Sequence, residues 1–269
     1  GVAVISATRP VYATPNKTLN YLVYDVLLPS DSLTVGEALY IAKFLRQPNF
    51  NDREFIYFGD PSMKLGIPKL KVNFTSVVPD TLKALSRVTV QGEVLDSLGN
   101  IKTDFNGTLF LQAFDAERKR THLIEANQDK VNYTLPGNSI FRGTFPVVTG
   151  QFQAQFIVPK DISYGGANAK ISAYVYDQTT DGAGVRDSLN ITGSDTTVTD
   201  SSGPTIDIIF TNIPGFIDGD QIPQNSEAQI IISDSNGINI TGELGHGITL
   251  SLNDNPSTTF DITSQFEYD

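Results

Sequence analysis

The sequence predicts a mixed fold: a partial α/β strand–helix–helix–strand unit followed by two mainly-β sandwich modules. Three observations carry this expectation. The chain opens on an apolar run, Gly1 to Thr8 (GVAVISAT), and reaches another at Phe55 to Phe58, with two helix-periodic stretches between them. After Pro68 the helical period stops, and short runs of alternating polarity recur between turn residues to about Gly193. Residues 194–204 (SDTTVTDSSGP) form a Ser/Thr/Asp linker, and a smaller set of short runs follows. The expected organisation is an α/β unit over 1–68, a β-sandwich over 69–193, the linker over 194–204 and a small β module over 205–269, cut short at its end.

In the first unit, Val2–Ala7 is a strand whose unbroken apolar character points to a parallel sheet covered on both faces. The chain therefore reads as part of something longer. Asn16 is placed as the cap of a first helix, in which Leu19, Leu22, Val23, Val26 and Leu27 recur on one face. Pro29 and Ser30-Asp31-Ser32 end it. Thr34-Val35-Gly36-Glu37 is a capping box: the threonine hydroxyl takes the N3 amide and the glutamate reaches back to the cap amide. The second helix carries Ala38, Ile41, Ala42 and Leu45 as its buried stripe, and Pro48 lies beyond its end. Glu54–Phe58 is the return strand, expected parallel to the first in a right-handed crossover.

In the second region, Val88–Val94 alternates with period two and Asp96-Ser97-Leu98-Gly99-Asn100 turns the chain. Gly107–Asp115, Phe152–Val158 and Lys170–Asp177 are further strands, and the spacing fits a sandwich of about seven or eight. Asp115–Arg120 (DAERKR) is expected as an exposed loop or strand end. In the last region Thr205–Phe210, Ala228–Asp234, Ile248–Asn253 and Asp261–Phe266 are the strands of a thin module, whose open edge invites strand exchange with a second chain.

Composition narrows the partners. The chain has 269 residues, 39% hydrophobic and 18% charged, with a formal net charge of −11. So acidic a surface repels phosphate backbones and excludes nucleic acid as a partner. There is no cysteine, which removes disulfides, thiolate metal sites and a cysteine nucleophile from these residues. No apolar run approaches the roughly 18–20 residues that cross a bilayer.

Candidate site residues are few. His122 (Thr121-His122-Leu123) and His246 (Gly245-His246-Gly247) are the two histidines, and neither accompanies a nucleophile in an activating frame. Both read as structural, so no catalytic residue is assigned. Asp177, Asp181 and Asp187 crowd a polar loop (YDQTTDGAGVRDS) and are a candidate calcium site, since calcium takes 6–8 oxygen ligands; a solvated turn is the competing reading. Asp218-Gly219-Asp220 is a weaker candidate of the same kind. Thr8 and Arg9 follow the carboxyl end of a buried strand, the edge where open α/β sheets place ligand clefts. Arg9 there either positions a substrate carboxylate or pairs with an acidic neighbour. Asn-x-Ser/Thr triplets begin at Asn16, Asn73, Asn106, Asn132, Asn190 and Asn239, as expected by chance in a chain rich in these residues. Asp-Ser/Thr-apolar triplets at Asp31, Asp80, Asp96 and Asp187 resemble an O-glycosylation signal of some Gram-negative periplasmic and surface proteins.

Several stretches carry a family resemblance. Gly1–Arg9 (GVAVISATR), Val11-Tyr12, Asn16, Gly36-Glu37-Ala38, Ala42-Lys43, Asn51-Asp52-Arg53-Glu54-Phe55 and above all Phe58-Gly59-Asp60-Pro61-Ser62-Met63-Lys64-Leu65 resemble the carboxyl-terminal part of the gingipain-like, caspase-related cysteine peptidase domain. Val90–Val94 with Asp96 and Gly99, Asp104–Leu109, Gly150-Gln151-Phe152, Phe156–Ile162, Tyr174–Asp177, Gly203–Ile206, Ser233–Asn239 and Gly245–Leu250 extend it, in order, to the PorU-type sortases of the type IX secretion system. The resemblance implies a caspase-like first unit and immunoglobulin-like β modules. It implies a parent enzyme that hydrolyses peptide bonds with a cysteine thiolate and a histidine base, removing carboxyl-terminal sorting domains from secreted cargo. In the family those two residues precede the strand that opens this chain, and no residue here matches them, so this piece is expected to be inactive alone. Protein cargo or other secretion components are the implied partners. The implied place is the cell surface, outer membrane or periplasm of a Gram-negative bacterium. The alternative is a non-enzymatic surface adhesin built of immunoglobulin-like modules, a function such folds also host.

Overall fold

Two helices and a single helical turn separate the first pair of strands. The structure, a computed structural model, describes residues 3–30, 32–46, 49–124, 129–164, 166–199, 201–217, 219–241, 247–251 and 256–269. Of the residues singled out above, Gly1, Val2, Asp31, Pro48, Asp218, Gly245, His246 and Asn253 lie outside them. The chain divides into two units, Gly1–Pro68 and Lys69–Asp269.

The first unit contains strand β1 (Ala3–Ala7), helix α1 (Ala13–Leu27), helix α2 (Val35–Leu45), the single turn α3 (Phe50–Arg53) and strand β2 (Phe55–Gly59). β1 and β2 pair antiparallel, from Ala3 opposite Gly59 to Ala7 opposite Phe55. The expected parallel crossover is thereby corrected. Apolar character carries no strand direction: Phe55 begins beside Ala7, and β2 runs back.

The pair is covered on one face. Ile5, Ala7, Phe55 and Tyr57 pack against Leu19, Val23, Leu39 and Ala42 of the helices. Val4, Ile56 and Phe58 point the other way and are 56%, 40% and 51% exposed. The apolar run is continuous because both faces are apolar, although only one is covered among the described residues.

α1 starts earlier than expected. Asn16 is not its cap: the Asn16 amide already donates to the Tyr12 carbonyl at 3.1 Å, which puts Tyr12 at the cap without a side-chain bond. Pro15 sits comfortably in this first turn, where its missing N–H has no intrahelical partner to lose. Leu19, Val23 and Leu27 are buried as expected.

The capping box of α2 is present. The Glu37 amide donates to Thr34 Oγ1 at 3.2 Å, and the Thr34 amide donates to Glu37 Oε2 at 2.9 Å. The buried stripe, however, is Val35, Ala38, Leu39 and Ala42, while Leu45 is exposed. The Gly59–Met63 stretch folds over the same helix end. The Val35 amide donates to Met63 O at 2.9 Å and the Gly36 amide to Pro61 O at 3.2 Å. With Glu37 bonded to Thr34, the first three helix amides are all satisfied. A β-carbon on Gly36 would lie 2.7 Å from Pro61, so this close approach requires glycine. Asp60 Oδ1 holds the turn by accepting from the Ser62 amide at 2.9 Å.

The second unit runs through β3 (Leu70–Val78), β4 (Thr81–Ala84), β5 (Arg87–Leu95), β6 (Gly107–Phe114), β7 (Arg118–Ile124), β8 (Asp129–Leu135), β9 (Ser139–Val147), β10 (Gln151–Ile157), β11 (Gly166–Tyr176), β12 (Asp181–Ser194), β13 (Thr205–Phe210), β14 (Ala228–Ser233), β15 (Thr249–Ser251) and β16 (Thr259–Asp261). One sheet takes the order β10-β5-β3-β12-β11-β6-β9, with β4 alongside β12. Only the contacts of β12 with β3 and β4 are parallel within it. The sheet folds over a single core so that its two end strands face each other: Phe141 of β9 stacks on Phe156 of β10 with ring centroids 4.8 Å apart.

Alternation in β5 is faithful to the sequence. Val88, Val90 and Val94 are fully buried, and at the inward position between them Gly92 leaves room for the Phe152 ring. The DAERKR stretch is exposed at Glu117, Lys119 and Arg120, as expected, and buried only at Asp115 and Ala116. Asp115 accepts from the Ala116 amide at 2.7 Å and the Ser163 amide at 2.8 Å; the basic residues then enter β7, which among the described residues pairs with β8 alone. After Ser194 two separate strand pairs form, β13–β14 and β15–β16; the last strand is Thr259–Asp261 rather than the expected Asp261–Phe266, of which residues 263–265 are a 3-10 turn. Beyond them Tyr268 packs on the main core and bridges Gly143.

Candidate functional site

The residues at the carboxyl end of β1 converge on one carboxylate. The Thr8 amide donates to Glu54 O at 2.9 Å, and the Thr8 hydroxyl reaches Glu54 O at 3.1 Å and Oε2 at 3.3 Å. Arg9 Nε lies 2.8 Å from the same Oε2. The Glu54 side chain is 12% exposed and that of Arg9 62%. Of the two roles open to Arg9, pairing with an acidic neighbour is thus realised. Because Nε makes the pair, the far edge of the guanidinium fork is directed away from Glu54. Glu54 is 46 residues from Thr8, and nothing local in the sequence announces it.

A second polar cluster supports this corner. Arg46 Nε pairs with Asp52 Oδ2 at 3.1 Å, with side chains 16% and 5% exposed. Arg46 Nη1 donates to Pro15 O at 2.6 Å. Asn49 caps α3 by accepting the Asp52 amide at 2.9 Å and donates to Asp52 Oδ2 at 2.6 Å. Asn51 Oδ1 accepts the Tyr12 amide at 2.8 Å. The loop leaving β1, the start of α1 and the turn before β2 are therefore tied together by residues of the Asn51-Asp52-Arg53-Glu54 stretch. Lys43 adds a bond to the Phe55 carbonyl. A groove of about 620 Å³ lies beside β1 and α1, lined by Ile5, Leu19, Val23, Leu27 and Tyr57, with Asn16 and Asn20 as polar members. Among the described residues its lining is mainly apolar.

The three candidate calcium ligands are not brought together among the described residues. Asp177 and Asp181 flank the β11–β12 turn, but Asp187 lies farther along β12, at a register shift between Arg186 and Leu189. Asp177 Oδ1 is occupied by the Thr179 amide at 2.7 Å and the Thr180 amide at 2.8 Å, which keep its carboxyl below the usual aspartate range. Asp181 Oδ2 accepts the Tyr174 hydroxyl at 2.7 Å. Three acids close in sequence were spread along a strand with a period of two, and the turn's own amides consumed the nearest oxygens. Among the described residues no group of three or more His, Asp or Glu is placed to hold a metal. His122 is exposed on β7 opposite Val131.

Comparison with known proteins agrees with the first unit's outline. Residues 1–66 match Peptidase family C25, the gingipain family. No curated protein matches the chain. Among solved structures, dimeric latent PorU from Porphyromonas gingivalis aligns with 29% identity and a TM-score of 0.52, over 97% of this chain and 26% of PorU. The chain thus spans about a quarter of that protein's length. Spo0M, a sporulation control protein from Bacillus subtilis, aligns at 14% identity and a TM-score of 0.29, over 47% of this chain and 50% of its own, below the level at which a shared fold follows. No helix among the described residues is long and apolar enough to cross a membrane. In sequence and structure the chain is gingipain-like over its first unit and PorU-like over nearly its whole length.

Proposed function

We propose that this chain is the non-catalytic carboxyl-terminal portion of a gingipain-like cysteine peptidase domain together with the β region that follows it in a PorU-type sortase. The observation that carries the reading is the coincidence of three boundaries: the C25 match over 1–66, the unit Gly1–Pro68, and the turn Asp60–Met63 that closes that unit on α2. A chain without cysteine cannot supply the thiolate nucleophile of this family, so the reacting thiol and its histidine base belong to residues beyond it. Within the parent enzyme, Thr8, Arg9 and Glu54 form part of the substrate cleft, with Glu54 aligning the arginine toward a substrate carboxylate. The β region positions secreted cargo or docks other secretion components at the bacterial surface, and unpaired strand edges offer a route for exchange with a second chain.

The test is a comparison of peptide hydrolysis by this chain alone and by a version extended through the rest of the peptidase domain. The reading expects no turnover by the chain alone, and turnover by the extended protein that iodoacetamide abolishes. Hydrolysis by the chain alone, or an extended domain whose activity survives thiol alkylation, contradicts it.

A further inference from the structure

Two tyrosines stand side by side on the outward face of β11. The rings of Tyr174 and Tyr176 stack with centroids 5.9 Å apart, and the residues are 39% and 43% exposed. They line a recess of about 430 Å³ with Asp177, Thr179, Thr180 and Asp181. Past Tyr176 a second recess, of about 540 Å³, is edged by Asn106, Thr108 and Gln178.

The carboxylates are held in place but not used up. Asp181 Oδ2 receives the Tyr174 hydroxyl, and Asp177 Oδ1 receives the Thr179 and Thr180 amides. Among the described residues their other oxygens hold no hydrogen bond. The bond to Asp181 is the main cause that raises the Tyr174 hydroxyl above the ordinary tyrosine range. The nearby cation Lys102 is engaged with Asp104, both contacts being 2.7 Å. The same face of β11 already pairs a cation with a ring: Lys170 Nζ lies 4.9 Å from the centroid of Phe114. Two stacked neutral rings flanked by two anchored carboxylates complement a flat cation, which stacks on the rings and forks onto carboxylate oxygen.

We propose that the Tyr174–Tyr176 recess is a docking site for an arginine side chain presented by an extended segment of a polypeptide partner. Arginine fits better than lysine because a planar guanidinium stacks and bonds at once, whereas a compact ammonium keeps its hydration. The neighbouring recess beyond Tyr176 offers amide and hydroxyl groups to the backbone on which the arginine is carried.

The test titrates the isotopically labelled chain, followed by NMR, with the blocked peptide acetyl-Gly-Gly-Arg-Gly-Gly-amide, its citrulline counterpart and a neutral maltooligosaccharide. Expected are shifts of the amides from Tyr174 to Asp181 with the arginine peptide, binding weaker by about threefold or more with citrulline, and losses of similar size for Tyr174→Ala, Tyr176→Ala and Asp181→Asn. Tyr174→Phe keeps the ring and separates its loss from that of the Asp181 clamp. All these groups are on the surface, and unchanged resonances in β5 and β10 establish that each variant is folded. Equal binding of the citrulline peptide, binding of the sugar at these residues instead, or no shifts there with any ligand each overturn the proposal.

Discussion

Tyr268 and Ile238 form a closed two-bond clasp: the Tyr268 hydroxyl donates to the Ile238 carbonyl at 2.9 Å and accepts the Ile238 amide. The Tyr268 ring stacks on Phe141 with centroids 4.9 Å apart, and its backbone amide bonds Arg142 O at 2.9 Å. The clasp ties a segment after β14 to β9 of the large sheet, alongside the bond from Asn239 to Asp161.

Removing the hydroxyl leaves two polar backbone groups without that partner. Tyr268→Phe is expected to lower stability by about 1–3 kcal/mol, measured by urea unfolding, and Tyr268→Ala by more because the stack on Phe141 is lost as well. Burial raises the Tyr268 hydroxyl above its ordinary range. Its folded value exceeds its unfolded one, so its contribution is complete below about pH 10 and is lost as pH rises through the folded value. Stability should therefore fall on the alkaline side, with a shallower fall in Tyr268→Phe. Tyr174, also raised, accounts for part of the remaining slope.

The capping box has the opposite pH sense. Hydrogen bonds from Thr34 lower Glu37 below the usual glutamate range. Its contribution is present above about pH 4.3 and disappears as pH falls through the lower folded value. Glu37→Gln should remove this acid-side slope, read from helical circular dichroism of a pH series. An unchanged slope would refute the assignment.

Arg46 and Asp52 form the most enclosed ion pair among the described residues. Asp52→Ala strands the guanidinium against Pro15 O and removes the partner of Asn49, and should cost about 3–5 kcal/mol. Hydrogen exchange in α1 and α3 should rise sharply. An effect below about 1 kcal/mol would show that water already shares this pair.

Gly184 lets β12 approach β3. A β-carbon there would sit 2.1 Å from the Val72 carbonyl oxygen. Gly184→Ala should destabilise the sheet by about 1–3 kcal/mol as strands shift, visible as lost protection at Leu70–Val72 and Gly182–Ala183. Full protection there would show that the strands accommodate the added carbon without losing their pairing.

Local signals were legible and distant ones were not. Thr34 and Glu37 are three residues apart, so their box could be read directly, as could the alternation Val88–Val94 and the turn Asp96–Asn100. The direction of β2 was not, because an apolar run does not say which end of its partner it meets. Glu54 was invisible as the partner of Thr8 and Arg9 because the fold alone brings them together. Asp177, Asp181 and Asp187 misled for the converse reason: proximity in sequence became separation along a strand. Tyr268 carries no local pattern that points to Ile238, thirty residues earlier.

We propose that residues 1–66, which match Peptidase family C25, belong to a cysteine peptidase domain whose reacting groups lie elsewhere in a longer protein. The most direct measurement is active-site labelling: the chain alone and the protein extended through the whole peptidase domain are each treated with a thiol-reactive peptidyl probe and examined by intact mass. The account predicts one modified cysteine in the extended protein, loss of its peptide hydrolysis on modification, and no hydrolysis by the chain alone. Peptide hydrolysis by the unextended chain, which has no thiol to modify, would contradict it.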